Sequence, residues 1–441
     1  MPPSLKTLIA IALAGSALNL QAADLMQVWR DAATFDAQYA AARAARHAGL
    51  EKLPQGRAAL LPTIGLTANT TRNDVESAPR STGSSISRNY NSNGWSVSLS
   101  QPVFRWQNWL GYKQAELAAA IAEMQFAQAG QDLMLRSAQA YFDVLLAQET
   151  LATAQAQKKA FAEQLQFAKR NFEVGTATIT DTHEAQAKHD LALATEIVAE
   201  NDLAVKRQAL RTLTGKQADA LKGLRPGLQI GPPQPAAIGE WVSSAESVNL
   251  GVQIAQVNVD VSAREIEKQR AGHYPTVDLV ATHGRSGSGF SSSTGSGVDS
   301  KSTTLGLQLT VPIYAGGAVS SRERETAALH DKARADLDNA RRQAALGAQQ
   351  AFLGVNAGLA QVRALEAGVA SSQLAVESNK LGYEVGVRIN IDVLNAQSQL
   401  FDTQQKLAKA RLDTLVAQLK LKAAAGTLAE ADLAEINALL E

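Results

Sequence analysis

The sequence predicts an α+β membrane protein that arose by internal duplication, in which each chain supplies four β-strands and a set of very long helices. The first observation is that the two halves of the 441-residue chain match at an offset near 211 residues. The second is that each half contains two segments whose apolar and polar residues alternate. The third is a proline-free, Ala- and Gln-rich stretch of about 65 residues in each half, which predicts a helix.

The N-terminus predicts a secretory signal peptide over residues 1–22. Met1 to Lys6 carries one positive charge, an apolar run follows from Leu8 to Leu18, and Ala22 offers a small residue for cleavage. A buried N-terminal helix is the alternative, but polar residues resume by Asp24. After Ala22 no apolar stretch reaches about 18 residues, so β-strands are the expected means of crossing a membrane.

The duplication is clearest around a Val-Gly pair in each half. Residues 172–175 (Phe-Glu-Val-Gly) align with residues 383–386 (Tyr-Glu-Val-Gly), and Asp181 then aligns with Asp392. The segment between the halves contains several prolines, which neither a helix interior nor a central strand tolerates. The predicted organisation is a signal peptide at 1–22, a first repeat at 23–225, a Pro-rich linker at 226–240, a second repeat at 241–425 and a C-terminal tail at 426–441.

Helical composition opens each repeat, from Asp24 to about Gln55 and from Gly239 to about Ala271. The longest helices are predicted from about Trp106 to Phe172 and from about Ser320 to Tyr383, and each would span about 100 Å at 1.5 Å per residue. A break at the Val-Gly pair and a returning helix of about 35 residues follow in both halves. The many alanines allow close approach of neighbouring helices in coiled-coil-like seams.

The alternating segments predict four half-buried strands. Trp95, Val97 and Leu99, for example, are separated by serines. The predicted strands lie at about 63–72 and 94–103 in the first repeat and at about 276–283 and 303–312 in the second. The tracts that join each pair, Arg72 to Asn93 and His283 to Thr303, are rich in Ser, Gly and Asn and are predicted to be mobile loops.

Four strands with open edges cannot close a barrel alone, because a stable barrel requires about eight or more. Two chains would supply eight strands around an interior filled by side chains, whereas three would supply twelve and leave a lumen. We therefore predict a trimeric 12-stranded β-barrel. Aromatic residues at the strand ends are typical of an interfacial girdle, with caps on a soluble core as the alternative; they are Phe104, Trp106, Trp109, Tyr274 and Tyr314.

Composition argues against several other classes of function. Lys plus Arg and Asp plus Glu number 42 each, so no net field favours nucleic acid. The chain has no cysteine, and His183 and His189, the closest histidines, fall on different helix faces. The Gly-Ser segments lack the strand and helix that flank a phosphate loop, and no Gly-x-Ser-x-Gly motif is present. We expect no catalytic site, no cofactor and no metal.

These features in combination resemble the TolC family of outer-membrane efflux and secretion channels. The resemblance is carried by residues 383–388 (Tyr-Glu-Val-Gly-Val-Arg) with Asp392, by residues 312–317 (Pro-Ile-Tyr-Ala-Gly-Gly), by the duplicated unit and by the signal peptide. It covers essentially the whole mature chain. It implies that the β-barrel lies in the outer membrane, that it continues into a long periplasmic α-helical barrel, and that the linker and the tail form an equatorial belt.

The resemblance also implies the function and the partners. The chain would form a homotrimer in outer-membrane lipid, docked to a periplasmic adaptor (membrane fusion) protein and to an inner-membrane transporter of the RND or ABC type. It would be a passive duct for small molecules (multidrug efflux), for proteins (type I secretion), or for both. A soluble periplasmic coiled-coil adaptor or scaffold is the alternative that the long helices leave open, although it does not explain the strands.

The family's channels are closed at the periplasmic tip by polar links between helices. By position, the resemblance implies that Thr180 and Asp181 pair with Tyr383 and Arg388 as this gate. An Arg–carboxylate link is directional and charge-assisted, so its loss should loosen the closed state. Asp181 also has a second interpretation, because a carboxylate near the start of a helix satisfies free backbone amides.

Three further positions follow from the same resemblance. Asp392 would project into the lumen, where three copies would form a carboxylate ring that selects cations, unless it serves only to start its helix. Asn395 stands one turn later, where the family carries a second acid. Gln164 would meet Lys380, a position that is acidic in the family, so we expect this secondary gate contact to be replaced by another.

Overall fold

The computed structural model describes residues 22–78, 85–217 and 220–441. The predicted signal peptide, apart from Ala22, lies outside these residues. The described residues form two compact units: one contains those up to residue 43 together with those in 126–252 and 340–441, and the other contains those in 44–125 and 253–339. No helix among the described residues has a segment long and apolar enough to cross a bilayer.

The described elements follow one plan twice. The first repeat contains helices α1 (Leu25–Phe35), α2 (Ala37–Leu50) and α3 (Lys52–Ala58), strands β1 (Thr63–Ser77) and β2 (Ile86–Phe104), and helices α4 (Trp106–Glu173) and α5 (Ile179–Thr214). The second contains α6 (Ile238–Val248), α7 (Leu250–Arg270), β3 (Thr276–Ser288), β4 (Val298–Thr310), α8 (Ala318–Glu384) and α9 (Asn390–Ala424), followed by α10 (Glu430–Asn437).

The predicted duplication is confirmed by the lengths of these elements. The long helices α4 and α8 have 68 and 67 residues, and the returning helices α5 and α9 have 36 and 35. Each repeat therefore folds as helices, a strand pair, a long helix and a returning helix.

The opening helix of each repeat is interrupted at an Asp or Asn, where the composition predicted one continuous helix. Asp36 separates α1 from α2, and its Oδ1 accepts a hydrogen bond from the Tyr39 amide at 2.7 Å. Asn249 separates α6 from α7 in the same way, through the Gly251 amide at 2.9 Å. Both side chains offer the backbone a cap in place of a helical bond, which explains the break.

Asp36 is also half of a bidentate ion pair. Arg136 donates from both terminal nitrogens to the Asp36 carboxylate at 2.9 Å, and Asp36 is only 8% exposed. These hydrogen bonds hold the pKa of the Asp36 carboxyl below its ordinary value. The pair joins the first helices to α4 within one unit.

The core of that unit is a large apolar cluster from several helices. Leu25 of α1, Tyr141 of α4, Leu210 of α5 and Leu415 of α9 are at most 1% exposed and belong to it. Residues of α10 complete it from the C-terminal side. Three of the four helices that flank the two Val-Gly pairs, α4, α5 and α9, therefore share one core.

The four strands of the other unit form one antiparallel sheet in the order β1-β2-β3-β4, so β1 and β4 are its edges. Ile64, Leu99, Ala281 and Leu305 are aligned across the four strands by the register. The adjacent row contains Gly65, Ser98, Thr282 and Thr304. Since neighbouring residues of a strand point to opposite faces, the sheet at this level is apolar on one face and polar on the other.

The strands extend beyond the predicted ends. The polar tracts predicted to be loops continue the ladder as far as Ser77 paired with Ile86, and Ser288 paired with Val298. Polar cross-strand contacts accompany the backbone bonds, such as Asn73 Nδ2 donating to Ser92 Oγ at 2.9 Å. Composition alone underestimated these strands because Ser and Asn are depleted in strands on average, whereas antiparallel pairing supplies partners for both backbone and side chains.

Candidate functional site: the two hairpin turns

Two turns connect the long helices to the returning helices: the first turn is Val174–Thr178 and the second turn is Val385–Ile389. Gly175 and Gly386 occupy equivalent places with φ of 77° and 81°. Residues with a Cβ avoid this left-handed region, so the glycine of each Val-Gly pair is required for the chain to reverse direction.

The first turn contains its own helix cap. Asp181 N donates to Thr178 Oγ1 at 3.2 Å, and the Asp181 carboxylate accepts from Thr178 N at 2.8 Å and from Thr178 Oγ1 at 2.7 Å. This reciprocal arrangement is a capping box that satisfies free amides at the start of α5. Asp181 therefore starts its helix, which is the second of the two interpretations given above.

The second turn has a different chemistry at the same positions. The residue equivalent to Thr178 is Ile389, whose side chain cannot cap α9. Arg388 lies 3.7 Å from Asp392 through Nη1 and Oδ2, and its side chain is 59% exposed. The absence of a side chain at Gly382 leaves room for the aliphatic part of Arg388, because a Cβ at 382 would lie 2.7 Å from Arg388 Cγ. The guanidinium is thus presented at the surface with donors to spare.

Tyr383 joins the end of α8 to α4. Its ring meets Phe167 edge-on at 5.8 Å between centroids, and its Oη accepts a hydrogen bond from Asn171 Nδ2 at 3.4 Å. The tyrosine is half-buried, so both an apolar and a polar contact hold it.

Gln164 finds its partner on α9 and not at Lys380. Gln164 Nε2 donates to Asn390 Oδ1, and Asn390 Nδ2 donates to the backbone carbonyl of Asp181 at 3.4 Å. Asn390 is 0% exposed. One buried amide thus connects the beginning of α9 to both α4 and α5.

The predicted gate residues are partly brought together. Asp181, Tyr383 and Arg388 line one open cleft of about 570 Å³, with Asn390 at its wall. Thr180, Lys380 and Asn395 occupy exposed helix positions, and Asp392 is half-buried beside Arg388. Within the described residues, no cluster of three or more His, Asp or Glu side chains has the arrangement of a metal site.

Sequence reasoning missed Thr178 and Asn390. The Thr178-x-x-Asp181 spacing is a recognisable capping signature. Asn390 starts a buried stripe that continues with Val393, Leu394 and Gln397 at helical spacing, so the stripe extended backward would have placed it in the seam.

Known proteins match this sequence over most of its length. The sequence model of the family described as "Outer membrane efflux protein" matches residues 30–216 and 241–427. The chain is 34% identical to outer membrane protein TolC of Escherichia coli, over 99% of this chain and 89% of that protein. It is 33% identical to the proteases secretion protein PrtF of Dickeya chrysanthemi, over 98% of this chain and 94% of that protein.

Solved structures show the same fold. The outer membrane protein VceC of Vibrio cholerae superposes with a TM-score of 0.76 at 18% identity, covering 91% of this chain and 96% of that one. The family match falls once on each of the two repeats, and the E. coli relative matches nearly the whole chain. The chain therefore belongs to the outer membrane efflux protein family and is an outer-membrane efflux and secretion channel of the TolC type, a transport protein and not an enzyme.

Proposed function

We propose that three copies of this chain assemble into a passive channel whose periplasmic end is closed at the two hairpin turns. The observation that carries the assembly is the four-stranded sheet with two long edges, β1 of 15 residues and β4 of 13. Such edges present unpaired backbone groups that need partners, and β1 of one copy can pair with β4 of the next. Three copies give twelve strands, which leaves a lumen lined by the polar row.

The exposed apolar side chains of the sheet support its contact with lipid. Leu66 and Leu305 are 71% and 74% exposed in the single chain. The predicted girdle residues are also exposed, with Trp106 and Trp109 at 41% each, immediately after β2. Aromatic side chains in this position suit the boundary between hydrocarbon and water.

The partners we propose are a periplasmic adaptor protein and an inner-membrane transporter of the RND or ABC type, which would supply the energy that a passive duct lacks. The similarity to a protein named for protease secretion supports protein export, and the family described as efflux proteins supports export of small molecules. In the proposed assembly each protomer consists of the repeats 23–225 and 241–425, joined by the linker 226–240 and followed by the tail 426–441. The linker and the tail would form its equatorial belt.

The gate we propose consists of Thr180, Asp181, Tyr383 and Arg388. Asp181 and Arg388 line the same cleft, and the guanidinium retains donors beyond its 3.7 Å contact with Asp392. In a trimer these donors can reach Asp181 of the neighbouring copy as a charge-assisted link. Three copies of Asp392 would form the cation-selective ring, with Asn395 contributing no charge. Lys380 remains a secondary candidate at the exposed end of α8.

Single-channel conductance in planar bilayers tests this function. We expect a small, cation-preferring conductance from the parent and a rise of about tenfold in Asp181→Ala/Arg388→Ser, because each protomer loses a link worth about 1–3 kcal/mol. The matched control is Glu163→Ala/Lys169→Ser, which changes the same charges at exposed positions of α4 near the first turn.

The outcomes separate the parts of the proposal. Absence of conductance from folded parent protein would overturn the channel assembly. Conductance that is equal in the parent and the double variant would retain the channel and discard these gate residues. An equal rise in the control would show that charge removal near the turn, and not the specific link, controls opening.

A further inference from the structure

Asn390 occupies an unusual position for an amide side chain. It is 0% exposed and begins the buried stripe of α9, and Leu394, one turn later, packs with Phe161, Leu165 and Ala185 of α4 and α5. The equivalent residue of the first repeat is Ile179, which is 48% exposed. An amide buried in an apolar seam is unfavourable unless its polar atoms are bonded, so its contacts determine whether this packing is stable.

Both ends of the amide are bonded, and to different helices. The oxygen accepts from Gln164 Nε2 of α4, and the nitrogen donates to the Asp181 carbonyl of α5 at 3.4 Å. A single side chain of the second hairpin therefore contacts both helices of the first. If the second turn moves away, both bonds are lost together.

Two polar atoms of α5 and α9 lack hydrogen-bond partners. Across the part of the chain that the structure describes, Thr182 Oγ1 and Gln397 Oε1 are buried without a hydrogen bond. Such atoms gain a partner when water enters, so they favour separation of the helices. The two bonds of Asn390 act in the opposite direction.

We propose that Asn390 is a positioning residue of the closed channel, which holds the second turn against α4 and α5 of its own protomer through Gln164 and the Asp181 carbonyl. The proposal rests on the gated channel proposed above. It adds a link within the protomer to the link between protomers made by Arg388. A buried polar contact of this kind favours one packing arrangement over alternatives, as polar residues do in coiled-coil seams.

The absence of native cysteine allows a direct measurement of opening. Ala185 is 0% exposed in the seam, so Ala185→Cys introduces a small thiol that a water-soluble maleimide reaches only when the seam opens. In this background we expect Asn390→Leu to raise the labelling rate about tenfold, because it removes two bonds and leaves the Gln164 amide without its partner. Asn201→Leu, the same substitution at an exposed position of α5, should change the rate less than twofold.

A double-variant cycle identifies the contact. Gln164→Leu removes the same bond from the other side, so Asn390→Leu/Gln164→Leu should label no faster than about twice the larger single effect. An unchanged rate in Asn390→Leu, or multiplied effects in the double variant, would overturn the proposal. If Asn390→Leu does not fold, as judged by its thermal transition, Gln164→Leu must raise labelling by itself, and failure to do so would overturn it equally.

Conductance distinguishes this proposal from the one on which it depends. A conducting parent whose Arg388→Ser variant opens while Asn390→Leu stays closed would contradict only the role of Asn390. A folded parent that never conducts would contradict the gated channel itself, whatever the labelling rates.

Discussion

The two repeats have nearly identical elements but different chemistry at equivalent positions. Their long and returning helices differ in length by one residue, and both turns depend on a left-handed glycine. The first turn is capped by Thr178 and Asp181, whereas the second has Ile389 at the cap position and relies on Arg388 and Asn390. The backbone plan is thus shared, and the side chains that contact other helices distinguish the copies.

This difference assigns separate tasks to the two turns. A capping box is satisfied within four residues, so the first turn needs no other helix to hold its shape. In the second turn, the buried Asn390 and the exposed Arg388 both contact residues outside the turn. In a trimer, Arg388 can also reach a neighbouring copy. In the proposed gate, the second turn is therefore the one whose contacts would change between closed and open states.

The largest effect on stability is expected where the repeats break their opening helices. Asp36→Ala should lower the free energy of unfolding by about 3 kcal/mol, because it leaves the half-buried Arg136 without its bidentate partner. Asn249→Ala should lower it by only about 1 kcal/mol, since a neutral cap is lost. Urea unfolding in detergent, followed by circular dichroism, compares them; equal losses would contradict the asymmetry.

The same two positions should differ in their response to pH. The pKa of Asp36 is lowered in the folded state, so its contribution is fully present above its unfolded pKa of about 3.9 and is lost as pH falls through the folded value. The difference in free energy of unfolding between the parent and Asp36→Asn should accordingly shrink as the pH falls from about 5 to about 3, a range of about one unit on either side of the unfolded pKa. The difference between the parent and Asn249→Ala should stay constant across the same range.

Exchanging the caps of the two turns should have smaller effects of opposite sign. Thr178→Ala should destabilise by about 1 kcal/mol through loss of the capping box. Ile389→Thr creates the same Thr-x-x-Asp spacing with Asp392 and should stabilise by a few tenths to about 1 kcal/mol. Thermal unfolding of the two variants checks this. A Thr178→Ala variant that is more stable than the parent would contradict the conclusion that the capping box holds the first turn by itself.

Much of the fold could be predicted from local patterns, for identifiable physical reasons. Alternation located four strands because one face is apolar, and proline-free Ala-rich stretches located α4 and α8. The breaks at Asp36 and Asn249 were missed because a side-chain cap competes with helix composition at a single residue. The strand ends near Ser77 and Ser288 were missed because pairing across strands, and not composition, extends them.

The candidate site was less predictable than the fold. The Val-Gly pairs marked the turns, because only a glycine suits the left-handed position of each. The alternative of a soluble adaptor is excluded by family membership and could not be excluded by helix patterns alone. The partner of Gln164 depended on which helix lies opposite, which is a tertiary property that no spacing within α4 encodes.

The division of tasks between the two turns is tested most directly by single-channel conductance of Arg388→Ser beside Thr178→Ala. We expect Arg388→Ser to raise the conductance several-fold to about tenfold, since the proposed link that opposes opening is lost. Thr178→Ala should leave it within about twofold of the parent, because the Asp181 carboxylate stays available to Arg388 after the cap is removed. A larger rise from Thr178→Ala than from Arg388→Ser would contradict the account.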